Sequence, residues 1–121
     1  MTYQFSILVG GFAIMLATTA TAQTTSCQFT QECIEGEDCA KTNYAVQITA
    51  DPARENGLIL NTPSEELQGT GIRKDGPGHV IFPGETAMHL ITSAADGAAR
   101  YTIHMQGPMV ISYQGTCEVN D

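Results

Sequence analysis

The chain has 121 residues, of which 13 are acidic and 5 are basic, so its formal net charge is −8. This length allows one small domain, and a hydrophobic content of 42% is enough for a folded core. The negative charge repels nucleic acid and anionic membrane surfaces, so we expect neither as a partner. A basic protein is the partner class that this charge favours.

An apolar run without a charge covers residues 7–17, and the pattern Ala20-Thr21-Ala22 follows it. The run is too short to span a bilayer, which takes about 20 residues, and Ala-x-Ala is typical of a leader cleavage site. We predict a signal peptide over residues 1–22 and a periplasmic or secreted product without stable membrane insertion. The alternative is an uncleaved membrane anchor, because the first six residues contain no Lys or Arg.

Four cysteines follow the predicted leader, at Cys27, Cys33, Cys39 and Cys117. An even number in a small exported domain indicates two disulfides, with three possible pairings. We favour Cys33–Cys39 as a local link and Cys27–Cys117 as a link between the chain ends. The alternative is a metal or redox site, but the spacing matches neither zinc-ribbon nor Cys-x-x-Cys patterns.

The chain after the leader divides into two parts by composition. Residues 23–42 are rich in Cys and acidic residues, and we expect a loose entry segment containing a solvated acidic loop. Residues 43–121 show period-two alternation between short turns, which predicts an antiparallel all-β domain of six or seven strands. The pattern leaves open whether this domain is a small barrel or a sandwich.

An Asp-Gly pair at residues 96–97 predicts a hairpin with a two-residue type I′ turn. That turn would place Met88 opposite Met105 on the core side and His89 opposite His104 on the solvent side. The next turn, at residues 107–109, continues the meander into the last strand.

The same parity places three tyrosines inside the domain and one arginine outside it. Tyr44, Tyr101 and Tyr113 have inward parity, which favours packing over a ligand platform. Arg100 has outward parity on the predicted hairpin. It is either a contact for an acidic partner or a solubilising edge charge.

The opposed His89 and His104 carry the metal hypothesis. Directly opposed strand residues have Cβ atoms about 5 Å apart, a separation at which two imidazoles can share Zn²⁺ or Cu²⁺, and His79 is a further candidate ligand. The alternative is an exposed histidine pair that tunes charge near neutral pH. Apart from this zinc or copper possibility, we expect no cofactor.

Motifs of common enzymes are absent from the sequence. The nucleophile elbow, the zinc-protease helix, the P-loop and the dinucleotide fingerprint all lack a match. We therefore expect no enzyme and assign no catalytic residue.

Two family resemblances concern the cysteine spacing and the end of the chain. The spacing Cys27-x5-Cys33-x5-Cys39, with ARYT at residues 99–102 and YQGTCE at residues 113–118, resembles small exported proteins of alphaproteobacteria, a family with no activity to transfer. The GAARY segment at residues 97–101 and Cys117 resemble periplasmic inhibitors of C-type lysozymes, which are small exported β-barrels with a late Cys tied to an early one. Those inhibitors have a tryptophan-containing segment that this chain lacks, so no functional residue is carried over.

Together these observations predict an exported, disulfide-stapled β domain that acts as a protein-binding or structural module. Metal binding by the histidine pair is one alternative. Inhibition of a basic hydrolase such as lysozyme is the other, because a charge of −8 attracts a basic partner.

Overall fold

The computed structural model describes residues 10–11, 23–72 and 78–120. Eight antiparallel strands pair in chain order and close into an up-and-down barrel, with the first strand hydrogen-bonded to the last. This confirms the all-β prediction, decides for a barrel over a sandwich, and corrects the strand number from six or seven to eight. The strands are β1 (Thr24–Ile34), β2 (Ala40–Ala50), β3 (Gly57–Asn61), β4 (Glu66–Ile72), β5 (Gly78–Pro83), β6 (Ala87–Ser93), β7 (Ala98–Met105) and β8 (Met109–Asn120).

The strand missing from the prediction is β1. We expected a loose segment over residues 23–42, and this is wrong, because β1 pairs with β2 on one side and β8 on the other and so closes the barrel. A β-bulge after Phe29 shifts its register. Cys27 and Phe29 are buried in the core, whereas beyond the bulge Glu32 lies opposite the inward-facing Tyr113. Before the bulge the odd-numbered residues of β1 point inward, and after it the even-numbered residues do. This change interrupts the alternation of apolar and polar residues, so the sequence pattern does not indicate a strand here.

The turn between β6 and β7 differs from the predicted type I′ turn. A hydrogen bond from the backbone N–H of Ala94 to the carbonyl oxygen of Ala98 closes a turn of three residues, 95–97, of which only Gly97 has a positive φ, of 93°. A type I′ turn requires positive φ at both central residues. Asp96 instead keeps a negative φ, and its carboxylate accepts a hydrogen bond from the backbone N–H of Ala98 at 3.0 Å.

The longer loop moves the β6–β7 pairing by one residue and exchanges the two faces of β6. His89 and Ile91 are buried in the barrel, whereas Met88 is 44% exposed on the outer face, so its predicted core position is wrong. On β7, Tyr101 is buried and Arg100 is exposed as predicted, but Met105 is 37% exposed at the end of the strand, so its predicted core position is wrong.

The hairpin between β7 and β8 has its three-residue loop at residues 106–108, one position earlier than predicted. Pairing therefore moves by two residues, which keeps every side chain on its predicted face. Tyr113 points inward as expected, but it lies opposite Tyr101 instead of Ile103. Tyr44 also packs against the core, in agreement with its predicted parity.

The favoured disulfide pairing is the one that the structure contains. Cys27 and Cys117 are directly opposed on β1 and β8, and their bridge spans 90 residues of sequence. Cys33 and Cys39 join the end of β1 to the loop that follows it. Two disulfides indicate an oxidising, extracytoplasmic environment.

The predicted signal peptide at residues 1–22 lies outside the described residues, apart from residues 10–11. Among the described ranges, no helix is sufficiently long and apolar to cross a membrane.

Candidate functional site

The two ends of the barrel differ in what fills them. We call one the aromatic end; its loops are residues 35–39, 62–65, 84–86 and 106–108. We call the other the open end; its described loops are residues 51–56 and 94–97.

The half of the interior toward the aromatic end is filled by ring side chains. Tyr44 stacks on Tyr113 with centroids 4.8 Å apart and planes inclined by 12°. Phe29 and Tyr101, both fully buried, pack against this pair with centroid distances between 5.6 and 6.4 Å. These contacts fill the core of this half with rings, and they agree with the expectation that the tyrosines pack.

A chain of three polar side chains runs through the aromatic half. The hydroxyl oxygen of Tyr101 lies 2.5 Å from Nδ1 of His89, and Nε2 of His89 lies 3.5 Å from Oε1 of Glu65. Burial lowers the pKa of His89, and the Glu65 carboxylate opposes this shift only in part.

Burial also raises the pKa of Tyr101, so its hydroxyl stays protonated and donates a hydrogen bond to Nδ1 of the neutral His89 ring. The ring proton then resides on Nε2, facing Glu65. Each hydrogen-bond donor among these three side chains faces an acceptor. The Tyr101 hydroxyl is buried and therefore inaccessible to a substrate.

The predicted histidine pair is not formed. His89 is buried and lies opposite Ile103, whereas His104 is exposed and lies opposite Met88 on the outer face. His79, the further candidate ligand, is exposed on β5. It lies three residues before Phe82, the residue that pairs with His89. Within the described ranges no group of three potential metal ligands is found. The zinc or copper hypothesis for His89 and His104 thus loses its geometric basis.

The aromatic end carries a net negative charge. Lys41 is the one Lys or Arg that the described residues place near these loops. Glu35 is held in place by accepting a hydrogen bond from the backbone N–H of Val110 at 3.0 Å. Seven of the 13 acidic residues lie in or beside its loops, namely Glu32, Glu35, Glu37, Asp38, Glu65, Glu66 and Glu85.

Two exposed methionines belong to the same end of the barrel. Met88 near the start of β6 is 44% exposed, and Met105 at the end of β7 is 37% exposed. Methionine is flexible and polarisable, and it occurs often on surfaces that bind other proteins. The aromatic end therefore combines acidic loops with accessible apolar side chains.

The open end holds a cavity of about 1100 Å³ that extends into the barrel. Its apolar wall is formed by Ile48, Leu58, Val80 and Ile91. Several of its remaining lining residues are small, namely Thr25, Ala50, Gly57, Gly71, Gly78 and Ser93. The interior of this half is therefore only partly filled by its own side chains.

An ion pair braces the rim of this cavity. Nε of Arg54 donates to the Asp51 carboxylate at 2.8 Å, and its Nη2 donates to the carbonyl oxygens of Leu58 and Gly69 at 3.1 and 3.2 Å. The hydrogen bond from Arg54 is the main reason that the pKa of Asp51 is lowered. Sequence reasoning missed this pair, because its signal is only an acid three residues before an arginine in a turn.

Comparison of the chain with protein-family models, with curated proteins and with solved structures finds no match. A function for this chain is therefore inferred from the geometry and the charge of the two barrel ends.

Proposed function

We propose that this protein is a periplasmic or secreted, non-catalytic module that binds a basic protein through its aromatic end. The observation that carries the proposal is the net negative charge of this end: seven acidic residues surround it, and the described chain places a single lysine there. Such a field steers a basic partner toward one face and speeds its encounter.

The rigidity and composition of the aromatic end support its role as the docking face for a basic protein. The Cys33–Cys39 disulfide and the Glu35 hydrogen bond to Val110 restrain the most acidic loop, so less ordering entropy is lost on binding. Met88 and Met105 supply apolar contact area beside the charges. An apolar centre with a charged rim is the usual composition of a protein interface.

The most concrete form of the proposal is inhibition of a basic hydrolase such as a C-type lysozyme. We propose a non-catalytic role because His89 and Tyr101, the described residues best suited to acid–base catalysis, are enclosed in the barrel. The two disulfides suit a protein that works outside the cytoplasm.

The test is a calorimetric titration with a C-type lysozyme at low and at physiological ionic strength, together with an assay of bacterial lysis. We expect saturable binding that weakens as salt is added, and inhibition of lysis. A Glu37→Gln/Glu85→Gln variant at the aromatic end should weaken binding about fivefold, since each exposed charge contributes about 0.5 kcal/mol.

The matched control is Glu55→Gln/Glu118→Gln, which changes the net charge equally but alters the other end of the barrel. We expect its affinity to stay within about twofold of the unmodified protein. Equal weakening by both variants would show that only net charge matters and would refute the docking face. Absence of lysozyme binding at low salt would refute the inhibitor.

A further inference from the structure

We propose that the open-end cavity is a binding site for one small molecule with an apolar body and either no charge or a positive charge. This site is separate from the acidic docking face, and neither proposal depends on the other.

The first argument is the size of the space. An eight-stranded barrel is just wide enough to be filled by side chains or to hold one small ligand. In the aromatic half, rings occupy that width, whereas glycine, alanine, serine and threonine line much of the open half. The remaining volume of about 1100 Å³ slightly exceeds the usual range for ligand pockets, about 300–1,000 Å³, so a small molecule has room to enter.

The second argument is the chemistry of the wall. Ile48 and Ile91 are buried, and Leu58 and Val80 border the same space while partly exposed to it. Filling the cavity would remove the exposed apolar surface of Leu58 and Val80 from water, which favours binding by about 25 cal/mol per Å². Hydroxyl groups of Thr25 and Ser93 offer a few polar contacts that orient a ligand.

The third argument is that the site is preformed. The Cys27–Cys117 disulfide joins β1 to β8 beside the cavity, and Cys117 is one of its lining residues. Arg54 ties residues of three segments together through Asp51, Leu58 and the carbonyl of Gly69. A braced wall loses little conformational entropy when a ligand enters.

The charge at the rim sets the ligand class. Of the described lining residues, Arg54 is the only Lys or Arg, and it is paired with Asp51. Asp96 and Glu118 add negative charge to the same lining. Because the described lining residues carry three negative charges and one positive charge, they disfavour an anionic ligand relative to a neutral or cationic one of similar size.

The experiment is a fluorescence titration of the protein, with both disulfides formed, using the uncharged dye Nile red and the anionic dye anilinonaphthalene sulfonate. We expect saturable 1:1 binding of Nile red and at least tenfold weaker binding of the anionic dye. Failure of Nile red to bind would overturn the site. Equal or tighter binding of the anionic dye would overturn the ligand class.

A matched pair of variants on β2 locates the binding. Both alanines are exposed residues of the same strand, but Ala50 lines the cavity and Ala45 is not among its described lining residues. Ala50→Leu should weaken Nile red binding about tenfold by filling space, and Ala45→Leu should leave it unchanged. Equal affinities for the two variants would overturn the assignment.

A measurement on the unmodified protein guards against misfolding of Ala50→Leu. In nuclear magnetic resonance spectra, Nile red should shift the backbone amide signals of Ile48, Leu58 and Val80. The signals of Met88 and His104 at the aromatic end should stay in place. Shifts confined to the latter two residues would overturn the proposal.

Discussion

The two halves of the barrel interior share one sheet but differ in how they are filled. Tyr101 and Phe29 are completely buried among other rings in the aromatic half. In the open half, inward positions such as Gly71 and Ser93 leave a cavity. Backbone closure thus sets the width of the barrel, and side-chain size decides locally whether that width becomes packed core or accessible space.

The largest expected effect concerns the disulfides, one beside the cavity and one at the aromatic end. Because the Cys27–Cys117 link closes a loop with a separation of 90 residues, Cys27→Ala/Cys117→Ala should lower the free energy of unfolding by roughly 4–5 kcal/mol in the chain-entropy model. The Cys33–Cys39 link closes a separation of 6, so Cys33→Ala/Cys39→Ala should cost roughly 2 kcal/mol. Urea unfolding of the two variants measures both losses, and equal losses would contradict this ranking.

The second effect compares two inward glycines of β4 that lie on either side of the boundary between the halves. A Cβ at Gly69 would collide with the carbonyl oxygen of Ile81 and the ring of Phe82. A Cβ at Gly71 would meet only the tip of the Leu58 side chain, at 3.2 Å.

We therefore expect Gly69→Ala to destabilise the fold by about 2–3 kcal/mol, since neither the strand nor the packed ring can move away. Gly71→Ala should stay within about 0.5 kcal/mol of the unmodified protein. Thermal or urea unfolding gives both numbers. A comparable loss in the two variants would mean that the open half is packed as tightly as the aromatic half.

The third and smallest effect is a pH dependence that arises in the aromatic half. Because burial lowers the pKa of folded His89 below the value near 6.5 of the unfolded chain, the unfolded state takes up a proton first as the pH falls. The contribution of His89 to stability is complete above about pH 6.5. It is lost below that value, by at most about 1.4 kcal/mol per pH unit, until the folded pKa is reached.

Urea unfolding at pH 7 and pH 5 measures this loss. His89→Gln should reduce it, whereas His104→Gln, an equal change at an exposed site, should leave it as in the unmodified protein. The same slope in both variants would show that the Glu65–His89–Tyr101 chain does not govern the acid response.

The sequence predicted much of the fold and little of the candidate sites. Alternation and turn residues were sufficient for an all-β domain, and chain position suggested the Cys27–Cys117 link. The faces of β6 were predicted wrongly because they depended on one turn, in which Asp96 keeps a negative φ. The resulting one-residue shift turned His89 from a surface ligand into a core residue.

The sites themselves arise from contacts that no local pattern contains. The acidic residues of the aromatic end are separated by up to about half of the sequence. Only closure of the barrel brings their loops together. The cavity depends on small residues from several strands facing one another across the barrel. The bulge after Phe29 determines which side chains of β1 face the interior of the barrel.

By itself, the sequence determined the class of structure, the net charge of the chain, and the cysteines available for bridging. These properties follow from composition and from a period of two residues, both of which are local. Tertiary structure decided the strand register, the burial of His89 and the separation of a packed half from an open half. Register and cavity shape depend on how distant strands align and on which side chains meet between them, and both are set only when the barrel closes.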